Sequence, residues 1–139
     1  MKSVSLLNGV KISIFGDSII WGAFLPFRGA WSNLLRNYLE SIDDRFALYD
    51  LGIDTNTTED LLTRFKSEAG ARKPDLLIFA IGTNDSAFRE PGHKSLVSIE
   101  DFRDNLEQLI NEGKQFTDKI MFVGLAKGDD SKTIPLPRS

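Results

Sequence analysis

The apolar positions of this chain follow two alternating periods. Four short runs, at 11–15, 46–49, 76–81 and 120–123, are rich in apolar residues and set off by turn formers and polar residues, as strands are. Between them the period lengthens to that of a helix. Trp31, Leu34, Leu35, Tyr38, Leu39 and Ile42 form one apolar stripe; Leu61, Leu62, Phe65 and Ala69 form a second; Phe102, Leu106, Leu109 and Ile110 form a third. Thr57-x-x-Asp60 and Ser98-x-x-Asp101 read as capping boxes opening the last two helices, with Gly70 and Gly113 as their stops. From Gly128 onward the chain is turn-rich and has no periodicity. Strands alternating with helices predict an open, mostly parallel sheet with helices on both faces.

Connection handedness sharpens this expectation. With strand order 2-1-3-4, right-handed crossovers place the first helix on one face and the other two on the opposite face. Both alternating sets of the third strand are apolar, Leu76, Ile78 and Ala80 on one side and Leu77, Phe79 and Ile81 on the other. Such a strand is built to be covered twice. The face with one helix should therefore expose hydrophobic side chains, and another strand and helix, or another chain, are wanted there. The isolated chain is expected to be poorly stable as a monomer and to self-associate, exchange segments or hold a complementary C-terminal fragment.

At 139 residues, 41% hydrophobic and 27% charged, the chain has the size and composition of one globular domain. Seventeen basic against twenty acidic residues, with no basic run, give a net charge of -3, which disfavours a nucleic-acid partner. The absence of cysteine excludes disulfides, thiolate metal sites and cysteine nucleophiles. With a single histidine only carboxylate metal sites are left, and these carboxylates are better explained as caps and turns. Neither G-x-G-x-x-G nor G-x-x-x-x-G-K-[ST] occurs, so no cofactor or metal is expected. The first ten residues lack the apolar core of a signal peptide, and no run approaches the ~20 apolar residues of a membrane span. A cytoplasmic location is the default expectation.

The candidate chemistry lies at two strand ends. Gly16-Asp17-Ser18 follows the first strand and Gly82-Thr83-Asn84-Asp85 follows the third. The carboxyl ends of neighbouring parallel strands border one crevice, so Ser18 and Asn84 can face one ligand as a nucleophile and an oxyanion donor. A serine hydroxyl needs a base to take its proton. Plainer roles exist for each residue: Ser18 as a helix cap, Gly52 as a tight turn, Asn84 as a turn residue bonded to its own backbone. Asp17 reads as a structural carboxylate holding loop N–H groups, Asp85 as a loop brace, and Asn56 as a candidate for the pocket lining. Trp21, Phe24, Leu25, Pro26 and Phe27 are either buried packing or the wall and rim of an acyl pocket.

Phe15-Gly16-Asp17-Ser18, then Asp50-Leu51-Gly52-Ile53-Asp54 with Thr55 to Thr58, then Ile81-Gly82-Thr83-Asn84-Asp85 stand in order, each with a predicted strand. In these three blocks the chain resembles the SGNH hydrolases, also called the GDSL esterase/lipase family. The resemblance implies a flavodoxin-like three-layer α/β/α sandwich and hydrolysis of small-molecule esters or thioesters, including O-acetyl groups on sugars. It implies Ser18 as nucleophile, with the Ser18 N–H, the Gly52 N–H and the Asn84 side-chain amide as oxyanion donors. Gly52 suits that role because a missing Cβ lets backbone approach a ligand. The family takes its catalytic His and Asp from an Asp-x-x-His beyond one more strand, and this sequence has no such motif. Its one histidine, His93, lies in the polar stretch Glu90-Pro91-Gly92-His93-Lys94. The resemblance thus implies one SGNH-hydrolase-like domain over 1–139, lacking its C-terminal strand and helix and impaired when alone. Two other readings stand beside it: a non-catalytic acyl- or carbohydrate-binding module that keeps the pocket without the base, and a doubly wound nucleotide or phosphate domain, against which the missing glycine-rich motifs count.

Overall fold

A computed structural model describes residues 9–25, 29–88 and 94–125. Along these residues the order is β1 (Lys11–Gly16), α1 (Ser18–Trp21), α2 (Trp31–Ile42), β2 (Ala47–Gly52), α3 (Thr58–Arg72), β3 (Leu76–Ala80), α4 (Ile99–Gly113) and β4 (Ile120–Phe122). The strands form one parallel sheet in the order β2-β1-β3-β4, the order from which the handedness argument started. An isolated antiparallel bridge joins Phe88 to Ser95.

Period-two alternation sends β1 side chains to two separate cores. Phe15 joins Leu51, Leu61, Phe65, Ala69, Leu77, Phe79, Ile81 and Leu109 under α3 and α4. Three buried rings organise this side: Phe15 lies 5.0 Å from Phe65 and 5.9 Å from Phe79, and Phe65 lies 5.3 Å from Phe79, centroid to centroid. Each such pair adds roughly 0.5–1.5 kcal/mol beyond the area it buries. Ile12, Ile14, Ile20, Leu48 and Ile78 form the opposite core, against Trp31, Leu35 and Leu39 of α2.

Several boundaries differ from the sequence pattern, each for a local reason. The strand expected at 46–49 continues to Gly52 because Asp50, polar but on a sheet edge, has partners for its carboxylate there. α3 passes Gly70 and ends at Arg72, where Lys73 takes the left-handed conformation before Pro74. Thr57 and Asp60 complete a reciprocal capping box. Ser98 does so only in part: its hydroxyl accepts the Asp101 N–H, but the Asp101 carboxylate takes the Ser98 hydroxyl rather than its backbone N–H. The first apolar stripe also divides. Trp31, Leu35 and Leu39 pack on the sheet, while Leu34, Tyr38 and Ile42, one row around the helix, are exposed. On the same side of the sheet as Ile78, Met121 of β4 and Val123 just past it are exposed as well, while Phe122 points to the other side, 5.2 Å from Phe79. The under-covered face is thus present, and β4 has the apolar faces of an interior strand although it stands at the edge.

Candidate active site

Gly16 ends β1 where two other elements come close. A Cβ on it would lie 2.2 Å from Ile20 Cγ1 and 2.4 Å from the Ala80 carbonyl oxygen, so this position admits only glycine. The chain then turns directly into α1. Asp17, not Ser18, is the cap of that helix: its buried carboxylate accepts the Ile19 N–H at 2.9 Å. Burial pushes the Asp17 pKa up, the Ile19 N–H and its own N–H oppose the shift, and the charges of Asp85 and Asp54 add to it. Ser18 becomes the first helical residue, half-buried. Neither its N–H nor its hydroxyl has a hydrogen-bond partner among the described residues.

Gly52 ends β2 beneath α1. A Cβ there would sit 2.4 Å from the Trp21 nitrogen and 2.7 Å from the Asp17 carbonyl oxygen, so the helix backbone rests directly on this residue. Its N–H donates to Asp50 Oδ1 at 3.0 Å. Asp50 Oδ2 in turn lies 2.6 Å from the buried Ser32 hydroxyl, which is also 2.9 Å from the Ile20 carbonyl. The Gly52 N–H expected to face an oxyanion is therefore engaged with Asp50, and what requires glycine at this position is close packing. Past it, Ile53 N–H returns to the Gly16 carbonyl at 3.1 Å, and Thr55 adopts a left-handed φ of 63°, strained for a β-branched residue.

Asn84 and Asp85 follow β3, after Gly82 turns the chain at φ 129°. The buried Asp85 carboxylate accepts the Thr58 N–H at 3.0 Å and the Thr58 hydroxyl, while Asn105 Nδ2 donates to that hydroxyl at 2.9 Å. It braces the start of α3 against the loop, as expected. The half-buried Asn84 points its amide at the loop after β2, Nδ2 donating to the Asn56 carbonyl at 2.9 Å. An amide nitrogen carries two hydrogens, so one donor is left over. Asn56 thus serves as an acceptor that orients Asn84.

Arg64 was not singled out by the sequence. With 14% of its side chain exposed, it lies beneath the strand ends. Nη2 donates to the Gly16 carbonyl at 3.2 Å and to the Leu51 carbonyl at 3.0 Å, Nε donates to Asn56 Oδ1 at 2.9 Å, and Nη1 pairs with Glu68 at 2.8 Å. The guanidinium also lies 5.9 Å from the centre of the Phe15 ring. One fixed fork thus ties together the ends of β1 and β2 and the loop that aims Asn84. The available signal was position: Arg64 interrupts a buried stripe between Leu61 and Phe65.

A crevice of about 420 Å³ is lined by Asp17 and Ile19, the chain neighbours of Ser18, with Trp31, Ala80, Thr83 and Val123 among others; Ser18, Gly52 and Asn84 are not among its lining residues. Trp21, Leu25 and Phe24 are exposed, Phe24 fully, so these three are not buried packing, nor do they line the crevice. Pro26, Phe27 and His93 lie outside the described residues. Among the described residues no cluster of His, Asp or Glu is arranged to hold a metal ion, and no helix is long and apolar enough to cross a membrane.

A parallel sheet with helices on both faces and polar residues gathered at the carboxyl ends of adjoining strands defines a doubly wound α/β domain with a strand-end site. The sequence match makes the class specific: residues 12–138 fit the pattern of the GDSL-like Lipase/Acylhydrolase family, and the chain belongs to that family. A curated relative, the uncharacterized lipoprotein YqeF of Bacillus subtilis, is 34% identical over 106 residues, 73% of this chain and 42% of its own length. The lipase/acylhydrolase from Enterococcus faecalis has a similar structure, with a TM-score of 0.70 and 27% identity over 92% of this chain and 63% of that one. An acetyl xylan esterase from Geobacillus stearothermophilus, solved as a point variant, gives 0.68 and 25% identity over 83% of this chain and 59% of that one. The chain spans less than two thirds of the length of each.

Proposed function

We propose that this chain carries the nucleophile and oxyanion half of an ester-hydrolysing site. The observation that supports it best is the pairing of an unengaged Ser18, N–H and hydroxyl both, with an Asn84 amide that keeps one hydrogen free, at the ends of the adjacent strands β1 and β3. In this reading Ser18 Oγ attacks the ester carbonyl, and the charge gathering on the carbonyl oxygen is held by the Ser18 N–H and the second Asn84 N–H. Gly52 contributes by letting α1 lie flat on β2, rather than through its N–H, which Asp50 occupies.

The base comes from elsewhere in this reading. Ser18 Oγ has no hydrogen-bond partner among the described residues, and His93, the one histidine of this sequence, lies outside them. The exposed row of Leu34, Tyr38 and Ile42 with Met121 and Val123 favours a complementary segment that covers this face and supplies the base. The same unpartnered hydroxyl favours, as the second reading, an acyl- or carbohydrate-binding module without turnover.

The test is exposure of the purified protein to a fluorophosphonate, followed by denaturing intact-mass and peptide mapping. Hydrolase function predicts one adduct, at Ser18, absent in Ser18→Ala and formed about 10²-fold more slowly in Asn84→Ala. A lone, unmodified chain would refute the hydrolase reading for this polypeptide by itself and leave the binding reading.

A further inference from the structure

The Asn84 side chain can turn about its own bonds, so the direction of its free hydrogen depends on the acceptor that holds the other one. That acceptor is the Asn56 carbonyl, 2.9 Å from Nδ2. The aim of the free hydrogen is therefore only as firm as the position of Asn56.

Residues 54–56 do little to hold themselves. The Thr55 hydroxyl donates to the carbonyl of its neighbour Asp54, and the Asn56 N–H reaches the Ile53 carbonyl at a long 3.3 Å. Thr55 nevertheless keeps its left-handed φ of 63°, which a β-branched residue does only where its surroundings enforce it. Among the described residues two side chains from outside this turn donate to it, and both end on Asn56. One is Asn84 itself; the other is Arg64, whose Nε lies 2.9 Å from Asn56 Oδ1.

The same guanidinium reaches the turn that carries Ser18. Nη2 donates to the carbonyl of Gly16, two residues before Ser18, and to that of Leu51, while Nη1 pairs with Glu68. Four of its five N–H donors are thus committed in one plane, and no one of them can shift without the others. The helix that carries Arg64 is itself fixed beside Asn84, since Asp85 accepts the N–H of its first residue, Thr58. An arginine that served only as an i,i+4 partner of Glu68 would need neither burial nor these three oxygens.

We propose that Arg64 is a positioning residue: through Asn56 it fixes the direction of the free Asn84 hydrogen relative to Ser18, and so sets how fast Ser18 reacts without touching the substrate. The rate rests on the hydrolase reading; the aim of the amide rests on hydrogen bonding alone and requires no turnover.

The experiment measures two things on the full chain, the limiting rate of Ser18 labelling at saturating fluorophosphonate and the side-chain amide signals of Asn84 in proton–nitrogen correlation spectra, assigned by their loss in Asn84→Ala. Arg64→Lys and Asn56→Ala are the variants, each checked for retained backbone dispersion. Both should slow the limiting rate about ten-fold, with the probe concentration for half that rate unchanged, because a small misdirection of a positioned group acts on the reaction step. In an Asn84→Ala background neither should slow it further, since the group they aim is gone. Glu68→Gln, which leaves the other three bonds of Arg64 in place, should label at the parental rate. In the parent the two Asn84 amide protons should be well separated, and in both variants they should move together toward the position of a free side-chain amide. Parental labelling in Arg64→Lys, slowing of equal size with and without Asn84, or an Asn84 amide unmoved in both variants would each overturn the proposal. An unlabelled parent whose Asn84 amide responds to Arg64→Lys overturns only the hydrolase reading. A labelled parent whose Asn84 amide ignores Arg64 overturns only the positioning role.

Discussion

Replacing Arg64 with leucine tests whether the strand ends are held by one buried cation. The change keeps much of the aliphatic stem against Phe15 and removes hydrogen bonds to the Gly16 carbonyl, the Leu51 carbonyl and Asn56, together with the ion pair to Glu68. Hydrogen bonds involving a charged group contribute about 1.5–3 kcal/mol each, but they are not additive, and loss of a partner from a buried pair typically costs about 3–5 kcal/mol. Two features place this site at the low end. Glu68 is 27% exposed and can turn to water, and the Gly16 carbonyl keeps the Ile53 N–H. The expected loss is therefore about 3 kcal/mol, which for a domain of this size lowers Tm by roughly 10 °C. Arg64→Lys keeps the charge but cannot fork to two carbonyls and an amide oxygen, and should lose about half as much. Urea unfolding of parent and both variants is the assay, with the m-value checked for constancy. A loss below about 1 kcal/mol in Arg64→Leu, or equal loss in both variants, would refute the clamp.

Two further outcomes follow from the β1 turn. Because burial raises the Asp17 pKa above its ordinary 3.8, the folded chain binds a proton there more readily than the unfolded chain. This group's contribution to stability is thus fully present below 3.8 and is lost as pH rises through the raised value. Asp17→Asn keeps an oxygen for the Ile19 N–H without the buried charge, so it should be the more stable protein at neutral pH, by a margin that shrinks as pH falls toward 3.8. Urea midpoints across that window measure the margin, and a difference that does not change with pH contradicts the assignment. Gly16→Ala would press a methyl group against the Ala80 carbonyl and Ile20, costing at least about 2 kcal/mol in the same unfolding experiment. Unchanged stability would show that the strand ends can separate.

Much of this architecture follows from spacing along the chain. Period-two runs and 3.6-residue stripes are set by backbone sterics, and once the strand order is β2-β1-β3-β4 crossover handedness places the helices on the observed faces. Gly16-Asp17-Ser18 and Asn84 could be located in the same way, because parallel strands bring their carboxyl ends to one side. Tertiary structure decided which atoms meet there. Periodicity assigns a stripe to a helix but not the row that touches the sheet, so Trp31, Leu35 and Leu39 were indistinguishable from the exposed Leu34, Tyr38 and Ile42 until α2 was docked. Whether Asp17 or Ser18 caps α1 depended on a side-chain direction. The Asp50–Gly52 bond is local, two residues apart, but that Ser32 would hold the other Asp50 oxygen, and that Arg64 would reach two strand ends, depended on hydrogen bonds between residues distant in sequence. Such bonds are satisfied in space after the layers have packed, and no spacing rule along the chain encodes them.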